Sequence, residues 1–322
     1  MKAIVQDLYG SADVLLLKDI EPPRIGAEDV LIQVRAAGVD FGVWHLMTGI
    51  PYVARLAIGL SRPKNPVRGM DVAGVVEAVG EKVTEFKPGD EVFGVCDGAF
   101  AEHARASHDK VLRKPENLTF EQAAAVPISA TTALVGLRAA KVQSGQKVLI
   151  TGAGGGVGTY AVQLARAMGA EVTGVCSTSK VALVRSLGAA NVIDYTREDF
   201  ADGGPRYDVI LDIAGSRPLS HLRRALTPTG RLLIVGGEGG GRWFGLGRQL
   251  WAMVLSLFPF IRQKLGSVLG LVNQADLREL KAYLEAGTVV PAIERRYSLS
   301  EVPLAVRALA EGHSRGKAVI YL

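Results

Sequence analysis

Seven residues, Gly152-Ala-Gly-Gly-Gly-Val-Gly158, hold the pattern best suited to chemistry in this 322-residue chain. Glycine stands at 152, 155 and 158, with Gly154 and Gly156 between them and Val157 inside the run. Backbone without side chains turns sharply and lets a pyrophosphate come close to main-chain N–H groups. A helix starting there would add its dipole to the attraction. The spacing departs from the commoner G-x-G-x-x-G, and a glycine cluster alone also suits a plain strand-to-helix turn. A second group follows at Ser177-Thr-Ser-Lys180. Dinucleotide sites that prefer NAD carry an acid at this place, on the ribose 2′-hydroxyl. None is present here. A cation and hydroxyls suit a 2′-phosphate instead, with Lys180 as a point charge and Ser177 as a donor. The chemistry predicted is therefore binding of NADPH, although Lys180 also suits a solvated helix position.

These groups need a strand, a turn and a helix in that order. Ser144-Gly-Gln-Lys147 predicts a turn, and Val148-Leu-Ile150 a buried strand. After the glycines, Val157, Ala161, Leu164 and Met168 recur at helical spacing, and Gly169 marks a stop. Thr119-Phe-Glu-Gln122 reads as a capping box. Beyond it, strands are predicted at 147–151, 171–176, 191–194, 207–213 and 230–236, with Gly266 to Val272 as a sixth. Helices are predicted from Ser179 to Leu187 and from Pro218 to Leu226. This alternation predicts an α/β doubly wound parallel sheet. Residues 1 to about 120 read instead as β-rich and barrel-like, with strands at Val30–Arg35, Gly74–Gly80 and Glu91–Gly94 and a turn at Lys87–Asp90.

A chain of this length predicts about two domains. Hydrophobic residues at 48% and charged residues at 21% suit a globular protein with a sizeable core. The net charge of +5 is scattered, without an aromatic-interleaved basic stripe, which argues against nucleic acid as a partner. Cys96 and Cys176 are too few for a disulfide scaffold and suit a reducing cytoplasm. The N-terminus has polar residues where a signal peptide needs an apolar core. The uncharged, apolar-rich stretch Gln249 to Ile261 falls short of the roughly 20 apolar residues of a membrane span. A buried helix near the cofactor, or a subunit contact, is expected there, with a membrane-surface contact as the alternative.

The run from Gly152 to Ala165 resembles the signature of the medium-chain dehydrogenase/reductase superfamily. It is most similar to the zinc-independent quinone oxidoreductase branch. Gly69 to Val76, Lys87 to Val92, Phe100 to His103, Thr131 to Leu134, Leu187 to Tyr195 and Gly312 to Val319 agree in order. The resemblance covers essentially the whole chain. It implies a GroES-like catalytic domain from residues 1–121 and 273–322, with a Rossmann NADP-binding domain at 122–272. It implies a homodimer or homotetramer. It also implies that Lys180 and Tyr195, fifteen positions apart, both hold the 2′-phosphate. Gly236 and Gly237, after a predicted strand, would let the nicotinamide half approach.

Zinc members of the superfamily place Cys and His where this chain carries Asp40 and Met70, with Asp71 in a Glu place. Three protein ligands, as catalytic zinc requires, are not assembled by that set, so no metal is expected. Without a Lewis acid, hydride transfer to a conjugated acceptor is easier to arrange than alcohol oxidation. The expected activity is NADPH-dependent reduction of quinones or α,β-unsaturated carbonyls. An NADP-linked alcohol or aldehyde dehydrogenase without zinc, or a non-catalytic NADPH-binding sensor or structural protein, are the alternatives. Polar groups expected to face the substrate lie between Gly38 and Tyr52. Asp40 would orient the nicotinamide carboxamide or relay a proton, or else cap a helix. His45 would protonate an enolate, and Tyr52 would bond a substrate carbonyl.

Overall fold

Alternating burial along Asp29–Val39 sets up the first half of the molecule. Val30, Ile32 and Val34 point inward between more exposed neighbours, and Ala36 to Val39 are buried throughout. That switch marks a strand half-covered at one end and wholly covered at the other. The computed structural model describes every residue except 204–205, 236–246, 257, 259–260, 269–271 and 313. The chain divides into two units. One comprises Met1–Thr131, Val272–Gly287 and Pro291–Leu322; the other comprises Thr132–Leu271 and Thr288–Val290.

In the first unit a sheet runs in the order Ile293–Ser298, Lys317–Tyr321, Asp29–Val39, Asp71–Val79, Glu91–Val95 and Val111–Arg113. His103–Ser107 pairs with Asp29–Val39 off that path. The pairs are antiparallel except for Ile293–Ser298 with Lys317–Tyr321. Val30, Ile32, Val72, Val76, Val92, Phe100 and Ile320 fill its core. The helix Phe41–Thr48 leaves the buried end of Asp29–Val39 and stops at Gly49, whose φ of 62° suits a residue without a β-carbon. The predicted capping box is present at Thr119 and Gln122.

The second unit holds a parallel sheet in the order Asn191–Asp194, Glu171–Cys176, Lys147–Thr151, Tyr207–Asp212, Leu226–Val235 and Lys264–Val268. Val148, Leu149, Ile150, Val209, Ile210 and Leu211 are wholly buried, as strands covered on both faces must be. The chain starts in the middle, builds outward to one side, then crosses over and builds to the other. Lys147–Thr151 and Tyr207–Asp212 therefore flank the point where strand order reverses, the place where such sheets bind ligands.

Two expectations shift. The sixth strand lies at Lys264–Val268, two residues before the predicted start, because Gly266 sits inside it rather than opening it. The apolar stretch forms the helix Gly247–Ser256, but it is not a buried helix. Gln249 and Ala252 face inward, while Leu250, Trp251 and Met253 are more than half exposed.

Candidate functional site

The glycine run follows Lys147–Thr151 at the reversal point. Gly152 has φ of 68°, which turns the chain out of the strand at a position that strains other residues. Gly155 then caps the helix Gly156–Ala167. A β-carbon on Gly158 would stand 2.1 Å from the Gly152 carbonyl oxygen and 2.7 Å from Ala153 Cα. That glycine lets the helix close on the turn. Among the described residues, a β-carbon on Gly155 would meet only the Gly152 oxygen, at 3.4 Å. Among the described residues nothing else fills the space in front of Gly155, and the first helical N–H groups, of Gly156, Val157 and Gly158, lack intrahelical acceptors by helix geometry. An open cradle beside free donors at a helix start fits a pyrophosphate. Ala153 N–H donates to Val175 O at 3.1 Å, which ties the loop to the next strand.

The strand Glu171–Cys176 ends beside this loop. Ser177 starts the short turn Thr178–Lys180. The Lys180 stem lies across the glycine loop, so that a β-carbon on Gly154 would stand 2.8 Å from its Cβ and Cδ. Tyr195 N–H donates to Cys176 O at 3.1 Å, and the Tyr195 side chain is half exposed. Ser177, Lys180 and Tyr195 thus stand at the carboxyl ends of two adjacent strands. One acid escaped the sequence analysis. Asp194, on the neighbouring strand, accepts from the Thr178 hydroxyl, from Thr196 and from its backbone N–H, and lies 3.5 Å from Arg197. Those hydrogen bonds, the Thr178 one foremost, hold its carboxyl below the usual range. Its lone pairs are used locally, so it does not replace the missing ribose acid. Gly236 and Gly237 lie outside the described residues.

In the first unit, Asp40 caps Phe41–Thr48 and accepts from Gly42 N–H at 2.6 Å. It is buried, and among the described residues its Oδ2 has no hydrogen-bond partner. Burial pushes its carboxyl up, against the opposing pull of Lys317 and the Gly42 and Val43 N–H groups. His45 Nδ1 lies 2.8 Å from Ile50 O. A carbonyl can only accept, so Nδ1 carries the proton and Nε2 is an acceptor until the ring is charged. Tyr52 opens the turn Tyr52–Ala54. The Arg55 guanidinium stands 4.7 Å from its ring centre and 4.4 Å from that of Tyr9. Arg55 also donates to Gly49 O and Thr48 O. Nothing in the local spacing foretold that clamp, because Tyr9 is remote in sequence. Among the described residues no group of three or more His, Cys, Asp or Glu is placed to hold a metal ion.

Residues 26–116 match the model of the alcohol dehydrogenase GroES-like domain, and residues 187–320 match that of the zinc-binding dehydrogenases. The chain is 32% identical over 339 residues to a quinone oxidoreductase of Mus musculus, covering 100% of this chain and 98% of that one. The chain belongs to the quinone oxidoreductase branch of the medium-chain dehydrogenase/reductase superfamily. An NADPH-dependent alkenal/one oxidoreductase of Arabidopsis thaliana is 32% identical over 340 residues, covering 100% of this chain and 79% of that protein. The solved structure of the quinone oxidoreductase from Coxiella burnetii superposes with a TM-score of 0.87 at 29% identity, covering 100% and 99% of the two chains. The fold is the expected pairing of a GroES-like sheet domain with a Rossmann sheet. Among the described residues no helix is long and apolar enough to cross a membrane.

Proposed function

We propose that this chain is an NADPH-dependent, zinc-free reductase of quinones or α,β-unsaturated carbonyls. The observation that carries the proposal is the Lys180 stem lying on Gly154, which joins a cation to the glycine loop at the sheet's reversal point. Relatives named as NADPH-dependent alkenal/one oxidoreductase and quinone oxidoreductase support it.

Backbone N–H groups of Gly156, Val157 and Gly158 would hold the pyrophosphate, with Gly155 leaving room and Gly152 making the turn. Ser177, Lys180 and Tyr195 would hold the 2′-phosphate. When bound, NADPH supplies a hydride. Tyr52 would donate its hydroxyl proton to a hydrogen bond with the acceptor carbonyl. Asp40 would supply the proton that balances the reduction. His45, with Nδ1 engaged by Ile50, would act as an acceptor that orients a donor. Side chains with only Asp40 and Asp71 at the ligand places support the zinc-free reading. We also infer a cytoplasmic homodimer or homotetramer. Family membership supports the assembly, and two buried free thiols support a reducing compartment.

NADPH consumption against a panel of quinones, enones and simple ketones tests the reading, with alcohols and NADP⁺ run in parallel. Turnover confined to quinones or enones is expected. Alcohol oxidation as the main activity would point to a dehydrogenase, and NADPH binding without any turnover to a sensor.

A further inference from the structure

Three ionisable side chains from distant parts of the sequence, Asp40, Asp71 and Lys317, are buried together in the first unit. Lys317, on the strand Lys317–Tyr321, is 1% exposed, and Asp71, on Asp71–Val79, is 0% exposed. Lys317 Nζ lies 3.5 Å from Asp71 Oδ2 and donates to Ser129 Oγ at 3.0 Å. Asp71 Oδ1 accepts from Ile128 N–H at 2.9 Å. Asp40 lies near enough to interact electrostatically with both, and among the described residues its Oδ2 meets no hydrogen-bond partner.

A buried cluster of two carboxylates and one ammonium has one negative charge too many. An unpaired charge in a dry interior neutralises by taking or losing a proton. The geometry decides where the proton sits. Asp71 has the ammonium and a backbone donor, so it keeps its charge. Asp40 has an oxygen facing nothing, so it keeps the proton. We propose that Asp40, Asp71 and Lys317 form a proton store, in which the Asp71–Lys317 pair maintains Asp40 as a neutral acid.

Among the described residues, other groups around the cluster do not supply the missing charge. His45, on the Asp40 helix, pulls the Asp40 carboxyl down only as the last of the opposing effects. The Cys96 thiol is pushed well above its usual range by burial and by Asp97 and Asp71, so it stays neutral. Ser129 is neutral. Burial and Asp40 push the Asp71 carboxyl up, while Lys317 and the Ile128 N–H pull it back.

The inference extends the reductase proposal and depends on it for its role in turnover. After hydride reaches the acceptor, the O–H bond at the buried Asp40 Oδ2 breaks and its proton passes through water to the enolate or hydroquinone-anion oxygen, where the new O–H bond forms. The electron pair of the broken bond stays on Asp40, where Lys317 stabilises the new charge. A proton from solvent restores the acid. Asp71 and Lys317 are positioning residues in this scheme.

Net neutrality makes a countable prediction. Infrared spectra at neutral pH should show one buried protonated carboxyl in the native chain and none of it in Asp40→Asn. Asp71→Asn should also lose that band, because Asp40 then becomes the counter-ion of Lys317. Lys317→Met should show two. Asp71→Asn should keep its NADPH affinity while kcat at neutral pH falls about tenfold or more, as expected when an acid gives up its proton early. Its alkaline loss of activity should begin at lower pH. Should Lys317→Met fail to fold, the two aspartate variants still decide. Absence of the native band, or its persistence in Asp40→Asn or Asp71→Asn, would overturn the proton store. Because the spectra need no turnover, failure of the reductase proposal would leave that result separate.

Discussion

Lys180 and Asp40 show what single residues contribute. In the proposed function the Lys180 ammonium would be a point charge for the 2′-phosphate, which NADPH carries and NADH lacks. Lys180→Ala should raise the KM for NADPH about 10- to 150-fold, in line with roughly 1.5–3 kcal/mol for a hydrogen bond to a charged group. The KM for NADH should hardly move. Steady-state kinetics with both cofactors check this, and an equal loss for both would remove the phosphate role. Asp40 predicts a pH effect with a definite sign. Its carboxyl keeps its proton to higher pH folded than unfolded. Its contribution to stability is complete below about pH 4, the ordinary aspartate range. That contribution is lost as pH rises through the raised folded value. Denaturant melts of Asp40→Asn across this window should show a flatter decline than the native chain. These residues differ in legibility. A missing acid and an added lysine are visible in sequence near Ser177. The Lys317–Asp71 pair joins residues 246 positions apart, and no local pattern carries that information.

Elements were more legible than residues. The strands Lys147–Thr151, Glu171–Cys176 and Asn191–Asp194 stand where their apolar runs end in turn residues. Lys264–Val268 has Gly and Ser at two of five positions, so its pattern is weak and its start was misplaced. Gly247–Ser256 is not the buried helix that its composition suggested, because composition reports apolar content and not which side faces a neighbour; the alternative of a subunit contact is untouched by this. The strand–turn–helix element also separates two kinds of glycine. Gly155→Val should fold normally, since a β-carbon there has room, and should lose NADPH binding by filling the cradle. Gly158→Val should destabilise the unit itself, because its β-carbon would overlap the Gly152 carbonyl. Thermal melting beside cofactor titration distinguishes the two outcomes. Retained NADPH affinity in Gly155→Val would reduce the glycine run to a turn.

At the scale of the whole molecule, sheet order carries the functional argument. Six parallel strands reverse direction of growth between Lys147–Thr151 and Tyr207–Asp212, and the glycine run follows the first of these. Alternation of strand and helix forecast the parallel sheet, but only the assembled order locates the reversal. A ligand held there stabilises the folded chain by mass action. NADPH at about 100 times its dissociation constant should add about 2.7 kcal/mol to unfolding free energy. NADH at the same concentration should add clearly less, and equal protection by the two would contradict 2′-phosphate recognition.

The most direct measurement takes the best acceptor from the quinone and enone panel and compares initial rates with NADPH and NADH, before and after exhaustive chelation. The account predicts kcat/KM at least tenfold higher with NADPH, and rates that chelation leaves unchanged. Equal use of NADH, or activity lost to the chelator and restored by zinc, would contradict it.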